Sequence, residues 1–373
     1  MASIKRRPDG KWRARYRDNF GKEHARHFSR KVDAEAWLNE VTASLVRGDW
    51  VDPKRGDVTI AAVAQTWLLN PKWKPSTRSR NQSILDNHVL PKWGTMKLPD
   101  VQHDDLQAWV IELTATGMAP NTVRKVAGVL SGVLTVATLA KRMPSNPMEN
   151  VSLPEPSVTR RRYLDDVQVQ SLAQASGENA TIVYVLAYCG LRIGELSALR
   201  VGNVDLRRRR LLIEKAMTEV NGVAILDSPK DYQRRSVPWP SFLDESMVSM
   251  VTGRHPDDYL FQSPRGGVLR VRNMRRAWFD AAAVTAGVPG LTPHELRHTA
   301  ASLAVHAGAS VLAVQRMLGH EKPSVTLDVY ADLFDQDLDA LADQLTSARN
   351  AALADSMRTN GSEVAPLPTA ANL

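Results

Sequence analysis

Four prolines fall between Pro144 and Pro156, at positions 144, 147, 154 and 156. Proline lacks a backbone N–H and fixes φ, so neither a helix nor a central strand runs through such a stretch. Residues 144–159 therefore read as an extended linker, and the 373 residues cannot share one uninterrupted core. The hydrophobic pattern changes across this break as well. Before it, alternation over residues 3–28 gives way to helical spacing from 59 to 143. After it, residues 160–345 are mixed, and 346–373 turn to Ala, Asn, Ser, Thr and Pro, the composition of a mobile tail. The expected fold is multidomain and mainly α, with small β-sheets.

Within the first block, Ser3–Arg6, Trp12–Arg17 and Glu23–Phe28 read as strands separated by Pro8-Asp9-Gly10 and Asp18-Asn19-Phe20-Gly21. Ser29 is placed to cap a helix over Lys31–Arg47 that ends at Gly48. Residues 1–50 thus form a three-stranded sheet backed by a helix, with a short linker at 51–58. In the helical block, Thr59 precedes a helix through Leu68. Ser76 caps one carrying Arg78 and Arg80, Pro99-Asp100 precede another, and Pro120-Asn121 begin a long helix to Leu139.

Charge is distributed unevenly. The chain carries a net +8, and residues 1–30 hold ten basic side chains against three acidic ones. Such a concentration points to a polyanionic partner. The interleaved Trp12, Tyr16, Phe20 and Phe28 favour a folded sheet over a solvated tail, because disordered tails are poor in aromatics. A sheet of this kind can lie in a DNA groove, and Lys5, Arg6, Arg7, Lys11, Arg13, Arg15, Arg17 and Arg26 are its candidate contacts, with Arg78 and Arg80 from the helical block. The run Arg207–Arg210 is either a solvated turn or a phosphate clamp.

Several classes are disfavoured. The single Cys189 excludes an intramolecular disulfide and a cysteine-rich metal cluster, and its apolar surroundings make it a core residue. No apolar core follows the basic N-terminus, so no secretory signal is expected. The longest apolar stretch, Val126 to Ala140, is short of the ~20 residues of a membrane span. The chain is expected to be soluble and intracellular.

Past the prolines comes a spaced set of cations followed by one tyrosine: Arg192, Lys230, His294 with Arg297, His320 and Tyr330. Phosphodiester cleavage needs a nucleophile, charge stabilisation and a proton donor for the leaving oxygen. Arginine forks bind two phosphate oxygens at once and stay charged. A tyrosine near its ordinary pKa of about 10 is a weak nucleophile, and neighbouring positive charge is expected to lower that value. Taken singly, each residue has a structural explanation: a surface arginine, a turn lysine, a hydrogen-bonding histidine, a packing tyrosine. The string H-E-L-R-H also has the i, i+4 histidine spacing of a zinc site, but a cation at Arg297 beside zinc is unfavourable. No metal or cofactor is expected.

The order of these residues, and the strings G-L-R-I-G-E-L-S-A-L-R, H-E-L-R-H-T-A-A-S and L-G-H followed by T-L-D-V-Y, resemble the tyrosine recombinase (phage integrase) family. The layout is similar to the three-domain lambda-type integrases, especially those of actinobacterial temperate phages. The resemblance implies an arm-type DNA-binding domain at 1–50, a helical core-binding domain at 59–143 and a mixed α+β catalytic domain at 160–345. It implies that Tyr330 attacks the scissile phosphate, giving a 3′-phosphotyrosyl link. Arg192, Arg297 and His320 would hold the non-bridging oxygens, Lys230 would protonate the leaving 5′-oxygen, and His294 would assist proton transfer at the tyrosine. Glu195 would position Arg192. The implied partners are double-stranded attachment-site DNA with separate arm and core sites, three further copies of the chain, a host DNA-bending protein and an excision or directionality factor.

That activity would integrate phage DNA at a chromosomal site and, with a partner, excise it. Leu333, Phe334, Leu338, Leu341 and Leu345 lie at helical spacing, suiting a helix that docks on a neighbour or on its own domain. Two other readings stand beside the integrase: a type IB topoisomerase-like strand transferase and a catalytically idle DNA-binding regulator.

Overall fold

The computed structural model describes residues 2–19, 21–157, 161–227, 234–335 and 345–354. The architecture is mainly helical with small antiparallel sheets, and the chain divides into two compact units at Thr159/Arg160.

In the first unit, strands β1 (Ser3–Arg6), β2 (Trp12–Arg17) and β3 (Glu23–Phe28) form an antiparallel sheet in that order. Strand alternation sorts the basic residues by face. Lys5 opposes Arg13, Ser3 opposes Arg15 and Arg17 opposes Glu23, so these share the outer face. Ala14 and Tyr16 point the other way and are buried under the Lys31–Arg47 helix. Arg6 and Arg26 also fall on that inner face, over the rings of Trp12 and Phe28. The expected basic surface is therefore split. Gly48 ends the helix at φ 79°, as its sequence position implies. Its N-cap is Arg30 and not Ser29, with no side-chain cap, while the Arg30 guanidinium bonds Asp33.

The expected linker at 51–58 is tied down. Trp50 Nε1 donates to Tyr16 Oη at 3.0 Å, and Lys22 Nζ reaches Asp52 Oδ2 at 2.6 Å. Asp52 in turn caps the Pro53–Gly56 turn.

The helices Ile60–Leu68, Pro75–Ile84, His103–Ala115 and Pro120–Leu139 enclose a second core that includes Val63, Leu85, Trp93, Leu106, Trp109 and Leu130. Thr59 caps the first helix as expected. The second is entered through Pro75 at its first turn, where a missing N–H costs nothing, and not through a Ser76 cap. A π-turn at Leu85–Val89 follows, just before Pro91 removes a ladder donor. The Pro120–Leu139 helix is long and apolar enough to span a bilayer by length and composition, but Val126, Leu130, Val133 and Leu134 on it are buried in this core.

The proline-rich segment is not extended over its first half. Met143, Met148 and Val151 are buried in the same core. Asn146 Nδ2 donates to Ser131 O, Ser131 Oγ and Thr135 Oγ1 at 3.0–3.1 Å. Proline bars regular structure there, but apolar burial with satisfied polar groups still orders the chain.

In the second unit, the helices Asp166–Ala175, Ala180–Cys189, Ile193–Ala198 and Pro293–His306 contribute to a core with Leu211, Ile213, Val237, Phe261 and Phe279. Cys189 lies fully buried in it. The strings Leu211–Lys215, Gly222–Leu226 and Arg235–Pro238 suggest three strands, whereas the described residues of this unit form five, in two sheets. Strands β4 (Val204–Asp205), β5 (Arg210–Ile213) and β8 (Arg235–Pro238) form one, and β6 (Ala216–Val220) with β7 (Val223–Asp227) forms a hairpin. In the arginine run, Arg209 takes a left-handed φ of 52° and its guanidinium grips Asp244 at 2.6–2.9 Å. This favours the turn over the clamp for that residue. Two further helices, Val311–Leu318 and Pro323–Asp335, follow. Leu333 and Phe334 belong to the latter; Leu338 and Leu341 lie outside the described residues. Within the expected mobile tail, residues 346–354 are helical, continuing from Leu345, which is exposed.

Candidate active site

The first arginine is placed by a sharp turn. Gly190 closes the Ala180–Cys189 helix at φ 65°, and a Cβ there would meet Leu318 Cδ2 at 2.7 Å. Only glycine satisfies both the backbone angle and the close approach. Two residues on, Arg192 is the N-cap of the Ile193–Ala198 helix. Its backbone N–H donates to Glu195 Oε2 at 2.9 Å and its guanidinium to Glu195 Oε1 at 3.1 Å, so the expected ion pair forms. The Arg192 side chain remains one-quarter exposed.

Glu195 has a second partner that sequence reasoning missed. Arg235, at the start of β8, donates to Oε1 at 2.9 Å and Oε2 at 2.6 Å. Burial alone would raise the Glu195 carboxyl; Arg235 first, then Arg192, outweighs it and holds the group below its ordinary value. Arg235 Nε also donates to Met317 O at 3.0 Å, beside Gly319 at φ 67°. A Cβ on Gly319 would lie 2.8–2.9 Å from the Arg235 side chain. One largely enclosed arginine thus ties the Arg192 anchor to the turn that carries His320.

The Pro293–His306 helix begins with a Thr292/Glu295 capping box and Pro293 in its first turn. Arg297 on it is 2 % exposed, and its guanidinium donates to Gly190 O at 2.6 Å and Leu318 O at 2.7 Å. Burial, then the charge of Arg192, pushes it below its ordinary pKa, yet a guanidinium stays cationic in a protein. His320 follows Gly319, and its Nδ1 pairs with Thr326 Oγ1 at 2.9 Å. Its ring lies nearly parallel to that of Tyr330, with centroids 6.4 Å apart.

Tyr330 is 1 % exposed and packs with Ala301, Val305, Val314 and Leu318. Its hydroxyl shares a 2.8 Å hydrogen bond with Nδ1 of His298, and not with His294. His294 stands behind His298, ring edge to face at 4.9 Å. Burial is the leading effect on Tyr330 and pushes it up to about 12, against the opposing pull of Arg297 and Arg161. The expectation that neighbouring cations would lower this value is therefore overturned, because desolvation of the phenolate exceeds their attraction. His298 is pulled down to about 4, first by burial and then by His294, Arg161 and Arg297. His294 is lowered by the same kind of causes.

The structure thus brings Arg192, Arg297, His320 and Tyr330 into one neighbourhood, with His294 at its edge. Lys230 lies outside the described residues. Sequence reasoning did not find His298 or Arg235. The histidine was visible as the i+4 partner of His294, but that spacing points to zinc and not to a tyrosine 32 residues on. No signal marked Arg235, which sits in a strand-like string. Among the described residues no group of three or more His, Cys, Asp or Glu side chains is placed to hold a metal ion.

The depressed histidines make stability depend on pH. Near pH 6.5 and below, the unfolded chain takes up protons that folded His298, near 4, refuses. Stability should be full above about 6.5 and fall as the pH drops toward 4. Thermal unfolding followed across that range should show this slope, flattened in His298→Asn. Equal slopes in both proteins would contradict it.

Sequence models of three parts of one family match consecutive stretches: the phage integrase N-terminal domain at 2–47, the phage integrase central domain at 60–153 and the phage integrase family proper at 162–337. The chain belongs to the phage integrase family. It is a site-specific recombinase of the tyrosine type.

The integrase is 27% identical to the protein named prophage phiRv2 integrase in Mycobacterium tuberculosis, over 85% of this chain and 88% of that one. It is 24% identical to tyrosine recombinase XerC of Bacillus licheniformis, over 62% and 77%. In fold it is similar to the Tn1549 transposon integrase in complex with transposon right end DNA, with a TM-score of 0.67 at 19% identity, covering 76% of this chain and 100% of that one. It is also similar to the lambda integrase tetramer bound to a Holliday junction, with a TM-score of 0.55 at 18% identity, covering 86% and 96%. These matches do not favour the topoisomerase-like or idle-regulator readings.

Proposed function

We propose that this integrase cuts duplex DNA at a phage or chromosomal attachment site by direct attack of Tyr330 on the scissile phosphorus, leaving a 3′-phosphotyrosyl link and a free 5′-hydroxyl. The observation that carries the reading is the convergence of Arg192, Arg297 and His320 on the surroundings of one buried tyrosine hydroxyl. The two arginines and His320 bind the non-bridging oxygens and offset the charge that grows in the transition state. Two of the five Arg297 donors are held by carbonyls, which aims the fork without neutralising it. Lys230 supplies the proton to the leaving oxygen. The phosphotyrosyl bond keeps the energy of the phosphodiester, so rejoining needs no ATP, and the cations do the charge work without a metal.

In the same reading, exchange between two duplexes requires four cuts and therefore four protomers; the lambda integrase tetramer on a Holliday junction supports this. Residues 59–143 grip the core site and residues 1–50 a separate arm site. A host DNA-bending protein and an excision factor complete the assembly, which works in the cytoplasm on nucleoid DNA. The outer sheet face, with Lys5, Arg13, Arg15 and Arg17, is the favoured arm-site surface, supplemented by Arg7 and Lys11; the exposed Arg78 and Arg80 serve the core site. Arg6 and Arg26 sit on the opposite face of the sheet and are the weaker candidates.

The test is covalent trapping on a nicked attachment-site duplex in EDTA. An adduct that survives EDTA and disappears in Tyr330→Phe supports the reading; an adduct that persists in Tyr330→Phe ends it. Affinity should also fall steeply with salt. Replacing Arg13 and Arg15 by alanine should make the slope of log affinity against log salt shallower by about 1 for each phosphate that is no longer neutralised. An unchanged slope, measured by fluorescence anisotropy, would remove those two from the interface.

A further inference from the structure

We infer that His298, and not His294, takes the proton from Tyr330 as the tyrosine attacks phosphorus. The inference rests on the reading of Tyr330 as nucleophile and assigns the group that activates it.

The geometry carries the argument. The Tyr330 hydroxyl is buried, and among the described residues its one hydrogen-bond partner is Nδ1 of His298 at 2.8 Å. That is within general-base reach without rearrangement. The His294 ring contacts His298, so it stands one place back from the reacting oxygen.

The proton has to go somewhere, because burial keeps this phenol protonated at neutral pH. His298 is neutral there and offers a lone pair. The groups facing it are His294, Glu295 and Arg297 from its own helix, Arg161 from the segment entering the unit, and Tyr330 from the Pro323–Asp335 helix. Among these, His294, Arg161 and Arg297 depress its basicity and Glu295 opposes them. A phosphodiester seated on the arginines would cancel much of that positive charge and raise the proton affinity of His298 when substrate is in place.

The step balances. The Oη–H bond breaks and the proton passes to Nδ1. The Oη–P bond forms, and the oxygen loses basicity as it does so, which drives the transfer. The P–O5′ bond breaks with its electron pair on O5′, which is protonated by Lys230 in the proposed reading. On rejoining, the 5′-hydroxyl gives its proton back to the Lys230 amine as O5′ displaces the tyrosine, and the His298 imidazolium returns its proton to Oη.

The experiment uses the full-length integrase and a nicked duplex selected from a random-sequence pool by covalent capture on the wild-type protein. Adduct formation is timed for wild type, His298→Ala, His298→Asn and Tyr330→Phe, with either oxygen or sulfur at the bridging 5′ position. Asparagine keeps a hydrogen-bond acceptor near the hydroxyl but takes no proton.

Both His298 variants are expected to form adduct about 100-fold more slowly. Sulfur should not restore the rate, because it relieves the leaving-group step alone. The variants should also speed up steadily toward alkaline pH, where the wild type levels off. His298→Asn within about threefold of wild type, or rescue by the 5′-sulfur, overturns the inference. Adduct formation by Tyr330→Phe would instead overturn the nucleophile assignment beneath it.

Discussion

Replacing Arg235 by methionine is expected to lower stability by about 3–5 kcal/mol and to slow DNA cleavage at least ~100-fold. The stability loss arises because the fully buried Glu195 carboxylate would keep only Arg192 as a charged partner. The rate loss has a different origin. Arg235 bonds both oxygens of the carboxylate that orients Arg192, and it also holds Met317 O beside the turn carrying His320. Its removal loosens two groups of the site at once, Arg192 and His320, although Arg235 touches no reacting atom in the proposed scheme. Adding Glu195→Gln should recover much of the stability, because a neutral amide needs no counter-charge, but not the rate. Chemical denaturation and single-turnover adduct formation measure the two. An Arg235→Met protein with wild-type stability and rate would show that the bridge is incidental.

Arg297→Lys should separate charge from geometry. The ammonium keeps the positive charge but cannot reach two carbonyls and a phosphate together. Gly190 O and Leu318 O would lose buried donors, costing about 1–3 kcal/mol for each group left unsatisfied. Cleavage should fall about 10²- to 10³-fold, the usual loss when one aimed donor is removed from a transition state. DNA affinity should barely move, since the overall charge is unchanged. A lysine variant cleaving at the wild-type rate would mean that charge alone suffices at this position.

Local signals were legible where local physics decides. The alternation over residues 3–28, the Gly48 terminus, the Thr59 cap and the long helix from Pro120 all stand where their patterns place them. Sequence and structure part where the competing force is tertiary. The prolines of 144–156 forbid regular structure, which by itself implies an extended linker. Yet Met143, Met148 and Val151 meet a hydrophobic surface, and Asn146 meets three acceptors. At Arg209 a clamp and a turn stand on equal terms until Asp244, 35 positions on, takes up that one guanidinium.

For the candidate site, the sequence by itself determined which chemistry is available: a tyrosine, two arginines and a set of histidines, spaced in the order of a recombinase. That much follows from composition and order, because guanidinium charge and phenol nucleophilicity belong to the residue type. Tertiary structure alone decided which groups meet. It paired Glu195 with Arg235, 40 positions away, and set His298 instead of His294 on the tyrosine hydroxyl. It also decided the direction in which Tyr330 shifts. The cations that would lower its pKa are present, as the sequence implied. The balance depends on how thoroughly packing strips water from the hydroxyl, and desolvation is a property of the folded surroundings, not of the chain.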